Sequence, residues 1–160
     1  MRLMRNRMFM AIAHVISQRA TCTRAQHGAV IVKDNRIISM GYNGSPSGTP
    51  HCFDKGCIIG PEGGCIRTVH AEANAIAHAA KAGIATDEAT IFVTGEPCLR
   101  CAQLIINAGI KTVWMFGYPE EYRDQRGITL LKESLIDLYY MGRPENLVTI
   151  NYQRVPEKSG

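Results

Sequence analysis

Two short stretches, His70-Ala71-Glu72 and Pro97-Cys98-Leu99-Arg100-Cys101, restrict the fold of this chain more than any other feature. Each opens a helix that lies next to a buried strand in sequence, so both helix starts can converge at one edge of a sheet. Cysteines three apart share a helix face, which lets both sulfurs reach one ion. A helix N-terminus also favours the thiolate over the thiol.

The elements around these stretches follow from pattern. An amphipathic helix is predicted at the start, with Met4, Met8, Ile12, Val15 and Ile16 on its buried face. Gly28 to Lys33 and Arg36 to Tyr42 are β-rich runs parted by Asp34-Asn35, a hairpin signal. Asn43 to Arg67 is rich in Gly, Pro and Cys without an apolar period; so long a loop is usually functional or held by something other than a core. A helix is expected from about His70 to Ala82, a buried strand over Ala89 to Gly95, a helix over Cys98 to Ala108 and a buried strand over Lys111 to Phe116. A further helix is predicted from Ile128 to Met141 and a last strand from Leu147 to Asn151. These alternating elements describe an α/β sandwich in a single domain spanning 1–160.

Two sulfurs and one imidazole leave the fourth tetrahedral position of a zinc open to water, the pattern of catalytic sites rather than structural ones. Glu72, two residues from the histidine, suits an acid/base that takes a proton from that water and returns it to a leaving amine. The bland alternative is a structural zinc at His70, Cys98 and Cys101 with Glu72 a solvated helix charge. H-x-E joined to P-C-x-x-C is the known signature of zinc nucleobase deaminases, and the match here is complete in residues and order.

Composition narrows the setting. No apolar run approaches bilayer length, which speaks against an integral membrane protein. The apolar stretch Met8 to Ile16 is interrupted by His14 and lacks a small-x-small site after it, so it reads as helix rather than secretory signal. The net charge of +4 is spread along the chain and suits an anionic small molecule as well as nucleic acid. Six cysteines without a targeting segment indicate a reducing cytoplasm, where close spacings mean metal or catalysis more often than disulfides. Four of them, Cys22, Cys52, Cys57 and Cys65, form a candidate structural zinc set that would tie down the long loop. Free buried thiols, or disulfides in an oxidising compartment, are the alternatives, and His51 is a possible substitute for one cysteine. His14, His27 and His78 are read as structural.

Taken with Gly28-Ala29-Val30-Ile31-Val32-Lys33, Gly41-Tyr42-Asn43-Gly44-Ser45-Pro46 and Val69-His70-Ala71-Glu72-Ala73-Asn74-Ala75-Ile76, these motifs resemble the deoxycytidylate (dCMP) deaminase family of the cytidine deaminase-like superfamily, from about Cys22 to Gly117. The resemblance implies a three-layer α/β/α sandwich with a mixed sheet of about five strands. It implies hydrolysis of dCMP to dUMP and ammonia, feeding thymidylate synthesis, with activation by dCTP, inhibition by dTTP and a homohexameric assembly. It further implies that Asn43 holds the sugar and its phosphate neighbourhood, while the Ala71 backbone meets the pyrimidine carbonyl. Arg24 and Gln26 are the phosphate candidates, Arg24 the stronger because a guanidinium fork suits phosphate oxygens. Tyr118 is placed to wall the base pocket. Two residues depart from the family's usual pattern: His27 where a small apolar residue is common, and Glu96 in a Gly95-Glu96 pair that is usually less acidic. Glu-Pro-Cys is frequent among tRNA adenosine deaminases, which keeps a nucleic-acid substrate as the alternative, beside a modified cytosine deoxynucleotide.

Overall fold

The structure, a computed structural model, describes residues 2–117 and 124–142. Its elements run α1 (Arg5–Ser17), β1 (Gly28–Lys33), β2 (Arg36–Tyr42), α2 (Cys52–Lys55), α3 (Ala71–Lys81), β3 (Thr90–Val93), α4 (Leu99–Asn107), β4 (Thr112–Phe116), α5 (Arg126–Glu133) and β5 (Asp137–Met141). The strands form one mixed sheet in the order β2-β1-β3-β4-β5. β1 pairs antiparallel with both β2 and β3, whereas β3, β4 and β5 run parallel. Asp34 and Asn35 both adopt positive φ, 49° and 61°, the paired left-handed conformation of a two-residue hairpin turn.

Period-two alternation divides β1 between two cores. Ala29 and Ile31 join Ile91, Val93, Val113 and Met115 beneath α3, α4 and α5, where Ala75, Ile105 and Leu131 complete the packing. Val30 and Val32 face the other way, with Phe92 and Phe116, against Phe9, Met10 and Ala13 of α1. Helices therefore cover both sheet faces, giving the three-layer α/β/α sandwich.

Two expectations change. The buried side of α1 is Phe9, Met10, Ala13 and Ser17, while Met4 is 69% exposed and Met8 and Val15 also face outward. The helix is turned by about 100°, one residue's worth, from the stripe of large side chains. Its seat explains this: a Cβ on Gly28 would lie 2.0 Å from the Ala13 carbonyl oxygen, so the helix docks by its smallest residues onto a glycine.

The second change is at the end of the described chain. The helix predicted over Ile128 to Met141 stops at Glu133, and Asp137–Met141 is a strand. Leu135 takes φ +58°, with its N–H bonded to the Lys132 carbonyl and the Ile136 N–H to the Leu131 carbonyl, both at 3.0 Å. That pair of bonds is the Schellman ending of a helix, here without glycine at the left-handed residue. Beyond it, the Asp137 N–H bonds Lys111 and Tyr139 stacks on Trp114 at 4.5 Å, which fixes the segment as a strand. This is the fifth strand of the sheet; the strand expected over Leu147 to Asn151 lies outside the described residues.

Candidate active site

His70 and Cys98 each stand at an N-cap, with extended backbone before α3 and α4. α3 starts beside the end of β2, where Gly41 lets the helix backbone approach: a Cβ there would lie 2.5 Å from the Ala71 oxygen and from the Ala75 nitrogen. α4 starts just beyond β3. Together they bring the His70 Nδ1 to 3.5 Å from both the Cys98 Sγ and the Cys101 Sγ. Zinc bonds of about 2.0–2.1 Å to nitrogen and 2.3 Å to sulfur in a tetrahedron place nitrogen and sulfur about 3.5 Å apart. The donor set and its spacing therefore fit zinc.

Charge is unevenly shared in this cluster. A hydrogen bond from the Cys101 thiol, assisted by His70 and the Cys101 N–H, brings Cys98 down to about 4. Cys101, facing that thiolate in a buried position near Glu72, is pushed up. A divalent cation reverses the second shift, because a coordinating thiol is deprotonated outright. The bond to Cys98 raises the His70 pKa. Glu72, in the first turn of α3, is only 8% exposed, and burial raises its carboxyl above the usual range. A carboxyl raised in this way is suited to carrying a proton near neutral pH.

His70, Glu72 and Cys98 line a cleft of about 370 Å³. Asn43 and Ala71 lie in its wall. The Asn43 side chain accepts the His27 N–H at 2.7 Å and donates to the Ala25 carbonyl at 2.9 Å, so it sets the chain entering β1. Arg24 also lines the cleft, its Nη1 donating to the Gly63 carbonyl at 2.8 Å. Gln26 is exposed and does not line it; Asn43 draws in the backbone on either side and leaves the intervening side chain outward. Tyr118 lies outside the described residues.

Several cleft residues are not among the site residues expected from the sequence. His27, read as structural, lines the wall with its ring against Gly95, where a Cβ would meet the ring at 3.3 Å. Thr68 and Thr94 are buried there, and the Thr94 hydroxyl accepts the Gly28 N–H at 3.0 Å. Neither threonine sits in a motif that would have drawn notice. Glu96 is 9% exposed and also borders the cleft. The Tyr140 hydroxyl donates to its Oε1 at 2.8 Å and the Gln125 amide to its Oε2 at 3.4 Å. Burial, together with that carboxylate, pushes the Tyr140 phenol up and keeps it a donor.

The other four cysteines also gather. The Cys22, Cys52, Cys57 and Cys65 sulfurs all lie within 4.8 Å of one another, with Cys22 to Cys57 at 3.8 Å and Cys52 to Cys65 at 3.6 Å. Sulfurs sharing a tetrahedral zinc stand about 3.8 Å apart by the same bond lengths, and disulfide sulfurs only about 2.05 Å. Burial holds the Cys52 thiol up at about 12. At Cys65 burial is outweighed by the Arg67 N–H and the neighbouring thiols, which bring it to about 6. His51 takes no part; it caps α2, its N–H bonded to the Asp54 carboxylate at 3.1 Å.

Residues 4–116 match the profile of the family described as the cytidine and deoxycytidylate deaminase zinc-binding region. The chain is 44% identical over 146 residues to ComE operon protein 2 of Bacillus subtilis (strain 168), covering 83% of this chain and 75% of that protein. It is 39% identical over 123 residues to the deoxycytidylate deaminase of Mycobacterium phage D29, covering 71% of this chain and 92% of the phage enzyme. Its fold is similar to the crystal structure of dCMP deaminase from cyanophage S-TIM5 in complex with dCMP and dUMP, with a TM-score of 0.75 and 31% identity over 88% of this chain and 99% of that one.

Proposed function

The chain belongs to the cytidine and deoxycytidylate deaminase family, and from that premise we propose that it hydrolyses dCMP to dUMP and ammonia, feeding thymidylate synthesis. The observation that carries this reading is the buried Glu72 carboxyl beside the His70, Cys98 and Cys101 donors, at the floor of a cleft open to a small molecule. The dCMP and dUMP bound by the cyanophage relative support the substrate.

In this reading His70, Cys98 and Cys101 hold a zinc, which when bound supplies the Lewis acidity that makes water a nucleophile near neutral pH. Glu72 takes one proton from the attacking water and delivers it to N3 of the cytosine. It then passes the second proton to the departing amine as the carbon–nitrogen bond at C4 breaks, so that water is consumed and ammonia released. The Ala71 N–H, at the first helical position of α3 and without an intrahelical acceptor, meets the pyrimidine carbonyl. Asn43 holds the sugar and Arg24 the phosphate, with Tyr118 as a further contact; Gln26, turned away from the cleft, is left out of this reading.

Cys22, Cys52, Cys57 and Cys65 hold a second, structural zinc. We read residues 1–160 as one catalytic domain of a cytoplasmic homohexamer, activated by dCTP and inhibited by dTTP. Among the described residues no helix is long and apolar enough to cross a membrane. Glu96, the residue that most invites a nucleic-acid substrate, has both carboxylate oxygens engaged by protein side chains, which favours the free nucleotide.

Zinc-loaded protein incubated with dCMP, with and without dCTP, tests the activity by release of ammonia and loss of the cytosine absorbance. No turnover under either condition overturns it. Metal analysis on the same sample is expected to give two zincs per chain; one removes the four-cysteine site.

A further inference from the structure

The turn that carries Cys98 is held from outside the metal-binding motifs. Glu96 is almost fully buried, and a carboxylate taken out of water has to be hydrogen-bonded to remain there. Its partner Tyr140 lies 44 residues later on β5, which is paired to β4 through Met115 and Tyr140. A bond between a phenol and a carboxylate is charge-assisted and among the stronger hydrogen bonds available. On the other side of the turn, α5 presses backbone against backbone: a Cβ on Gly127 would stand 2.2 Å from the Pro97 carbonyl oxygen and 2.9 Å from the Cys98 carbonyl carbon. Between Glu96 and Cys98 stands Pro97, whose ring fixes φ, so a shift at Glu96 is passed on instead of being absorbed.

We propose that Glu96 is a positioning residue, which through Tyr140 ties the Pro97-Cys98 turn to β5 and so sets where the Cys98 sulfur stands relative to His70. The inference rests on the reading of His70, Cys98 and Cys101 as a zinc site. It assigns β5 a part in the chemistry although none of its residues is a ligand. It also accounts for an acidic residue beside a thiolate ligand: the carboxylate is spent on the phenol and on Gln125.

The test follows zinc loss from the fully loaded protein to a chromophoric chelator. The phase belonging to this centre is identified by its absence in His70→Ala. Tyr140→Phe and Glu96→Leu are each expected to speed that phase about ten-fold, the low end of what outer contacts to a metal site carry. The double variant should be no faster than Glu96→Leu alone, because the bond that Tyr140→Phe removes is already lost there. Glu96→Gln, which keeps an oxygen for the Tyr140 hydroxyl, stays close to the unmodified protein. With cobalt in place of zinc, Tyr140→Phe shifts the visible ligand-field bands, and dCMP kcat falls with little change in KM. If Glu96→Leu fails to fold, the isosteric Tyr140→Phe carries the test alone.

A His70-dependent phase left unmoved by Tyr140→Phe overturns the inference, as does a changed KM with unchanged zinc loss, which would make Glu96 a substrate contact. Absence of any His70-dependent phase in the unmodified protein overturns the zinc reading itself, and the inference with it.

Discussion

The two cysteine-bearing centres use the same donor atom on different supports. His70, Cys98 and Cys101 sit at the mouths of α3 and α4, whose inner faces are buried against the sheet, and Ala71, Ala102 and Ile105 fix the helices there. Cys52, Cys57 and Cys65 sit on a long connection whose large apolar side chains Phe53, Ile58, Ile59 and Ile66 are all exposed. In the first centre the fold positions the proposed ligands; in the second the proposed ligands would have to position the fold. The difference teaches that ligand count alone does not define a site's job. Three donors on a rigid frame leave room for chemistry, whereas four on a loop substitute for a missing core.

The sharpest way to separate the two centres is Glu72→Ala. Turnover of dCMP is expected to fall by roughly 10² to 10⁴-fold, the range of a lost acid/base, while the zinc content of both centres stays unchanged. Loss of metal along with activity would make Glu72 structural. Cys52→Ser should do the reverse: it lowers Tm by about 5 °C or more and opens the 43–67 connection to proteolysis. Turnover falls less than in Glu72→Ala, because only the cleft wall at Cys22, Cys65 and Arg24 is loosened. A Cys52→Ser protein that melts and digests like the unmodified one breaks the comparison.

Gly127→Ala strikes the rigid frame itself, since the added methyl meets the Pro97 carbonyl. Overpacking of this kind costs about 1–3 kcal/mol, read by denaturant unfolding, and should slow turnover without releasing the zinc proposed for the four cysteines. The smallest effect is expected of Leu135→Gly. Leu135 is 89% exposed and left-handed, so glycine relieves about 1 kcal/mol of backbone strain and raises Tm by a few degrees, with both centres untouched.

What the sequence made legible follows the same division. Metal ligands must be particular residue types at particular spacings, so the proximity of His70, Cys98 and Cys101, and of the four remaining cysteines, could be read from the chain. The hairpin was legible because Asp34-Asn35 names its own turn. For α1 periodicity gives the right segment and the wrong face, because it weighs large side chains and this helix docks through Ala13 and Ser17 onto Gly28. β5 has the pattern of a helix because Leu131, Leu135, Leu138 and Tyr139 fall at helical spacing, and the left-handed position is held by Leu135, with no glycine to mark the stop. Glu96 and His27 stood out as unusual residues, but their partners arise only once distant strands are brought together.

β1 runs against the other four strands, and the sheet has two unlike ends. The start of β1 and the ends of β2, β3 and β4 all feed the cleft. At the opposite rim lies the Asp34-Asn35 turn, where Asn35 accepts a bond from the Arg5 guanidinium at 2.7 Å. Six residues of β1 separate the two ends, about 20 Å of extended chain. The hairpin tip can therefore take an attached fluorophore, an affinity handle or an inserted loop while the chemistry proceeds at the far side, which makes it the natural point for immobilising the molecule with its cleft facing outward.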